Sequence, residues 1–228
     1  FSDINSVDKD VIQRVKSSNT DKRFEYVEYS DLEHLENLFF DKVLLDITKM
    51  ENKDDIDGFN KSLGATKNNQ YTNYHTSKHI EDWQILSPTR WIGIGTYYLN
   101  DQIHQHYRQD IVERWEDKWS KTKPQSLQKI VYGDKVISNV NEDRNCWSRK
   151  ERKGCNKYIA NGEIGIMMNY PKQYGRDDKN DKFYKFMFNS YDDNAFSYTK
   201  SDFGSDEGDS KLELAYALTV HKSQGSGF

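Results

Sequence analysis

The hydrophobic periodicity of the chain changes once, near Pro124, and that change limits what the chain can fold into. Before it, apolar residues recur at helical spacing between short extended runs. After it, "LQKIVYGDKVISNVN", "YIANGEIGIMMNY", "KFYKFMFNS" and "AFSYTKSDF" alternate at a period of two and are punctuated by Gly-Asp and Asn-Gly turns. Roughly five short strands within about 75 residues, without a helical pattern, suggest a small barrel. Then "LELAYALTV" returns a buried-type strand, with Leu212, Leu214, Tyr216, Leu218 and Val220 on one face. Upstream, "SVDKDVIQRVKSS" predicts a short amphipathic helix and "RFEYVEY" a strand. Ser30 and Asp31 cap a helix through "DLEHLENLFFDKVLLDI". Residues 47–80 read as a polar surface excursion, "DWQILSPTR" as a short strand from Trp83 to Leu86, and "GTYYLNDQIHQHYRQDIVERW" as a long helix. Helix, strand, helix, strand, helix is the rhythm of an α/β domain. A β-barrel inserted before the last strand of such a domain accounts for the order.

Bulk properties narrow the classes further. A 228-residue chain with 14% aromatic residues can build a core although 31% of it is charged. A net charge of −4 gives no global basic field, so a polyanion partner would have to meet a local patch. No apolar run approaches the roughly 20 residues of a membrane span, and the amino end lacks the basic and apolar regions of a signal peptide. Phe1, in place of an initiator methionine, suggests a chain cut or processed from a longer one. Cys146 and Cys155 are too few for a disulfide framework or a zinc site and are expected to be reduced thiols, which points to a cytoplasmic protein. His75 with His79, and His104 with His106, lack converging carboxylates or cysteines in sequence, so no metal site is expected. Trp115 and Trp119 are expected to pack on a helix face.

The chemistry concentrates in "ALTVHKSQGS". A strand delivers Thr219, His221, Lys222, Ser223 and Gln224 to its carboxyl end, where Gly225 permits a tight turn. One cation, two hydroxyls, an amide and an imidazole suit a phosphodiester backbone, and a polar cap without a ligand is the alternative. A second candidate surface is Ser148–Lys157, where Arg149, Lys150, Arg152, Lys153 and Lys157 face the acid Glu151. Trp147, Tyr158 and Phe188 would supply stacking beside that basic loop.

"YALTVHKSQGS" closely resembles motif V of superfamily 1 helicases of the RecD-like branch, which includes the alpha subunit of exodeoxyribonuclease V. "WQILSPTRWIGIGTYYLN" resembles the motif IV region, and "YGDKVISNVN…NGEIGI" resembles the SH3-like insertion of that family. The resemblance spans residues 20–228 and is weakest across 47–80. It implies an α/β fold: a RecA-like, P-loop-NTPase-type parallel sheet domain over 1–125, an inserted SH3-like β-barrel over 126–207, and a return strand over 208–228. It further implies the carboxy-terminal part of an ATP-dependent DNA helicase that works against a missing N-terminal RecA-like domain, with helicase–nuclease subunits as further possible partners. Thr219, His221, Lys222 and Ser223 would touch single-stranded DNA, while Gln224 and Gly225 would face the nucleotide. Arg90 would reach the γ-phosphate as an arginine finger. ATP and Mg2+ would belong to the parent, because no GxxxxGK[ST] loop occurs in this sequence and the chain alone should not hydrolyse ATP. The family places glutamate where this chain has Gly227, which puts a nucleotide contact from that motif in doubt. The rival expectation is a non-catalytic module that binds nucleic acid or protein.

Overall fold

The computed structural model describes residues 27–68, 71–118, 123–169, 184–204 and 210–223. The expected first helix and residues 23–26 lie outside them, and Val27–Tyr29 join no sheet.

The first helix, α1 (Leu32–Leu38), starts where expected: the Asp31 carboxylate accepts from the His34 amide at 2.9 Å, which satisfies one of the free donors of the first turn. A π-helical turn over Phe39–Val43 leads into α2 (Leu44–Thr48), which stops at Lys49 in the left-handed region. Residues 51–80 are not merely a polar surface excursion. Asp55 caps α3 (Ile56–Ser62), which buries Phe59, and β1 (Ala65–Asn68) pairs antiparallel with β2 (Tyr71–Tyr74). Phe59 stacks on Tyr107 at 3.9 Å between ring centroids, and with the buried Leu63, Tyr74 and Ile80 it anchors the segment to the core.

The remaining elements are β3 (Ile85–Ser87), the long helix α4 (Thr96–Glu116), β4 (Lys135–Ser138), β5 (Glu142–Ser148), β6 (Lys153–Ile159), β7 (Ile164–Asn169), β8 (Tyr184–Phe188), β9 (Asn194–Tyr198), β10 (Leu212–Leu214) and β11 (Ala217–Thr219), followed by the short turn of helix Val220–Ser223. α4 buries Leu99, Ile103, Tyr107, Val112 and Trp115 on one face, as its spacing predicts. Ahead of it, the loop 88–95 is closed by its own backbone: the amides of Thr96 and Tyr97 donate to the carbonyls of Thr89 and Arg90 at 3.0 and 3.1 Å. A Cβ on Gly95 would lie 2.5 Å from the Arg90 carbonyl oxygen, so this position must be glycine for the loop to close. Gly95→Ala is therefore expected to cost about 1–3 kcal/mol in urea unfolding, the usual penalty of forced overpacking.

The expected RecA-like parallel sheet is not formed. Among the described residues parallel pairing is confined to β3 with β11, and the dominant sheet has seven strands, all antiparallel neighbours, in the order β10-β4-β7-β8-β9-β5-β6. The cause lies in "LELAYALTV", which alternates like one strand and is two. Leu212–Leu214 pair with Ser138–Val136 in the large sheet, whereas Ala217–Thr219 pair with Ile85–Ser87. At the break between them, Asn100 of α4 donates to the carbonyls of Leu214 and Ala217 and accepts from the Ala217 amide. Gln84 donates to the carbonyls of Ala215 and Tyr216, and the Ala215 amide reaches Lys135. Every backbone group so supplied has no need of a continuous ladder. Val220, expected on the buried face, is 47% exposed because the strand has ended before it.

Nor does the Asn161-Gly162 turn make a hairpin. β6 pairs only with β5, and Gly162 donates instead to the Ser138 carbonyl, so the large sheet keeps β6 and β10 as edges. Its inner face is aromatic: Phe186, Phe188, Phe196 and Tyr198 are all buried, and Phe203 of the 3-10 turn Lys200–Phe203 packs on Phe186 and Tyr198. The two cysteines are not separate thiols. Cys146 and Cys155 are opposite residues of the β5–β6 register, 4.9 Å apart at Cα, and form a disulfide. Among the described residues no helix is long and apolar enough to cross a membrane.

Candidate phosphate-binding site

Where β3 and β11 end side by side, the chain that leaves each strand carries a cation. After β3, Arg90 projects from the closed loop; after β11, Lys222 sits in the short helical turn whose Lys222 amide donates to the Thr219 hydroxyl at 3.2 Å. These two cations, with Thr96, Asn100, Thr219 and His221, line a cavity of about 240 Å³. Sequence positions more than a hundred residues apart are thus brought together by the parallel pairing and by the Gln84 and Asn100 bonds beside it.

One carboxylate lies between the cations. Glu213 accepts from Arg90 Nη2 at 3.0 Å on one oxygen and from Lys222 Nζ at 3.0 Å on the other. Lys222 Nζ also donates to Asn139 Oδ1 at 2.9 Å. Burial pushes the Glu213 carboxyl upward, but Lys222 and Arg90 outweigh it and hold it below the ordinary glutamate range. Two cations and one anion leave the group with a net positive charge. The Arg90 and Lys222 side chains are 38% and 31% exposed, so an incoming anion can reach both.

A larger cavity, about 380 Å³, runs along α4 between Tyr97 and Glu116. Asp101, Glu113 and Glu116 line it, which makes it a poor seat for a polyanion despite its size.

Of the residues singled out from sequence, Arg90, Thr219, His221 and Lys222 meet at the smaller cavity. Ser223 does not face it: its hydroxyl donates to the Val220 carbonyl at 2.8 Å. Gln224, Gly225 and Gly227 lie outside the described residues. In the basic loop, Arg149 is spent on structure, with Nη2 donating to the carbonyls of His75 and Asp192 at 2.9 and 2.6 Å. Lys153 pairs with Glu151 at 2.7 Å, while Lys150 and Arg152 are exposed. Trp147 and Tyr158 stand exposed on β5 and β6, but Phe188, expected to stack there, is fully buried in the aromatic face of the sheet. His104 is a buried partner of Asp134 rather than half of a histidine pair with His106.

Glu213 and Asn139 were not legible as site residues. The one available signal for Glu213 is that it is the lone charge within Leu212–Val220. Among the described residues no group of three or more His, Cys, Asp or Glu side chains converges as a metal site, and the sequence has no phosphate-binding loop.

No protein-family model matches the chain, and no solved structure matches it. It is similar to the uncharacterized protein MJ1519 of Methanocaldococcus jannaschii, 30% identical over 155 residues, which is 64% of this chain and 12% of that protein. The chain thus spans about an eighth of the length of the curated relative it matches.

Proposed function

We propose that this chain binds the backbone of single-stranded DNA as part of an ATP-dependent DNA helicase or translocase; the disulfide removes the reduced-thiol ground for a cytoplasmic location. The observation that carries the reading is the meeting of Arg90, Thr219, His221 and Lys222 at one cavity with net positive charge. Those residues come from the two stretches that resemble motifs IV and V of RecD-like helicases. The reading does not rest on a RecA-like sheet, which the described residues do not form. ATP, Mg2+ and the stepping cycle would belong to an ATP-binding domain elsewhere in the parent, and nuclease subunits would be partners of that parent. In this chain Arg90, Lys222 and the Thr219 hydroxyl would grip phosphates, and His221 at the rim would add a donor.

The second reading is a non-catalytic nucleic-acid-binding module, and the predominance of the antiparallel sheet favours it. Flanking sequence separates the two: a GxxxxGK[ST] loop upstream supports the motor, and its absence from the parent supports the module.

Fluorescence anisotropy with a labelled oligothymidylate tests the reading shared by both. Binding is expected to be weak, salt-sensitive and indifferent to ATP. Replacing both Arg90 and Lys222 by alanine is expected to weaken it about 10–100-fold and to flatten the slope of log affinity against log salt by about 1.4, the share of two phosphate contacts on a single strand. An unchanged slope in a folded double variant would rule out the site. Neutralising Lys150, Arg152 and Lys153 in the same assay decides whether the basic loop also contacts DNA, since loss of affinity there requires phosphate contacts on that surface.

A further inference from the structure

Glu213 occupies the place that an anionic ligand of this cavity would take. β10 presents it rigidly, because its strand neighbours Leu212 and Leu214 are buried and their backbones are bound into the sheet. The carboxylate spans the cations with one oxygen each, both at 3.0 Å, which is the bridging pattern of a phosphate between an arginine and a lysine. The cavity is much larger than the bridge requires, and its remaining polar lining, Thr96, Asn100, Thr219 and His221, makes no bond to Glu213. Elsewhere the same bridge occurs without a cavity. Glu142 spans Arg144 and Lys211 with one oxygen each, Asp202 pairs with both cations, Arg144 stacks over the Tyr198 ring, and that group lines neither of the cavities described above, so what sets Glu213 apart is the open cavity beside it.

We infer that Glu213 is an internal stand-in for phosphate: it holds Arg90 and Lys222 in position in the unliganded protein, and a phosphate group binds by displacing it from both. The inference deepens the DNA-backbone reading by naming a residue that sets the affinity of the same site. A carboxylate carries one charge and a phosphate or pyrophosphate carries as much or more, so displacement is favoured by the polyanion yet costs the energy of the existing pairs. The seat is thereby selective against weak monoanions and releases its ligand readily.

Isothermal titration with inorganic pyrophosphate, on the wild-type chain, on Glu213→Gln and on Glu142→Gln as a control, tests the displacement. Glu213→Gln keeps the side-chain volume and an acceptor while removing the competing charge, and is expected to bind pyrophosphate about tenfold more tightly. Glu142→Gln, which alters the Arg144 cluster, is expected to bind like wild type. Unchanged or weaker pyrophosphate binding by a folded Glu213→Gln overturns the inference. A measurement on the wild type covers the case of a variant that does not fold. The side-chain carboxyl carbon resonance of Glu213 must move when pyrophosphate is added at saturating concentration, and a stationary resonance overturns the inference equally. The two readings fail separately. Tighter pyrophosphate binding by Glu213→Gln, without oligothymidylate binding by either protein, supports the stand-in and refutes the DNA reading. Salt-sensitive oligothymidylate binding by the wild type that Glu213→Gln does not tighten does the reverse.

Discussion

Asp134→Ala is expected to destabilise the fold by about 3–5 kcal/mol in urea unfolding, the cost of leaving a buried charge without its partner. Asp134 is fully buried and so, nearly, is Arg108, at 1% exposure; the guanidinium Nε lies 3.3 Å from the carboxylate. The same carboxylate accepts from Tyr216 Oη at 2.7 Å and from the Val131 amide at 2.7 Å, and meets His104 Nε2 at 3.0 Å. Burial pushes the Asp134 carboxyl upward, yet His104 and Arg108 bring it below the ordinary aspartate range, so the group is ionised where it matters. Tyr216→Phe removes one of several donors to the carboxylate and should cost less, about 1.5–3 kcal/mol, the worth of a hydrogen bond to a charged group. A comparable loss for both variants would show that Asp134 acts as a simple acceptor and not as the counter-ion of Arg108. The cluster also bears on the site. Tyr216 sits in the break between β10 and β11, and tying its hydroxyl to Asp134 holds the turn that sets Glu213 opposite Lys222.

Lys135→Met is expected to stabilise the protein at neutral pH, by about 1–4 kcal/mol. Lys135 is buried, with Nζ donating to the Trp83 carbonyl at 2.7 Å and lying 4.7 Å from the centre of the Trp83 ring. Burial pulls its ammonium down to about 7, and the more distant Glu81 and Asp82 offset this only in part. The sign follows from proton counting. Between about pH 7 and the unfolded lysine value near 10.4, the unfolded chain carries a proton that the native chain lacks, so stability rises with pH. The penalty is fully present below about pH 7 and is gone above the unfolded value. Methionine removes the penalty and its pH dependence, while losing one hydrogen bond to a carbonyl. Stability curves of the two proteins should therefore converge as the pH approaches 10. Parallel curves across this window would show that Lys135 stays charged in the native state, held by its carbonyl and ring contacts.

The helices α1 and α4 were legible because their signals are local, whereas α3, inside a run read as a polar excursion, was not. Asp31 caps α1, and the spacing of Leu99, Ile103 and Tyr107 marks α4, whatever the rest of the chain does. β8 and β9 were legible for the same reason: period-two alternation in Phe186, Phe188, Phe196 and Tyr198 needs a sheet with one apolar face, whereas β5 and most of β6, the latter read as a basic loop, were not. The pairing of the strands was not legible either. Asn161-Gly162 reads as a hairpin, but the pairing places β6 at the edge beside β5 and β7 beside β4. Cys146 and Cys155 read as separate thiols until β5 and β6 set them opposite each other.

For the site, residue chemistry was in the sequence and its arrangement was not. "TVHKS" announces a polar strand end from which Thr219, His221 and Lys222 can be picked without a structure, and Arg90 of "SPTR" is singled out by the resemblance to the motif IV region. Alternation of Leu212, Leu214, Tyr216 and Leu218 shows that the return segment is extended and buried, because a period of two repeats within the segment itself. Whether that segment is one strand or two depends on what satisfies the backbone at Ala215 and Tyr216. Those partners, Gln84 and Lys135, with Asn100 on the flanking Leu214 and Ala217, lie 80 to 132 residues away. Only the tertiary structure could decide this, and with it the small parallel pairing, the large antiparallel sheet and the placing of Glu213 between Arg90 and Lys222.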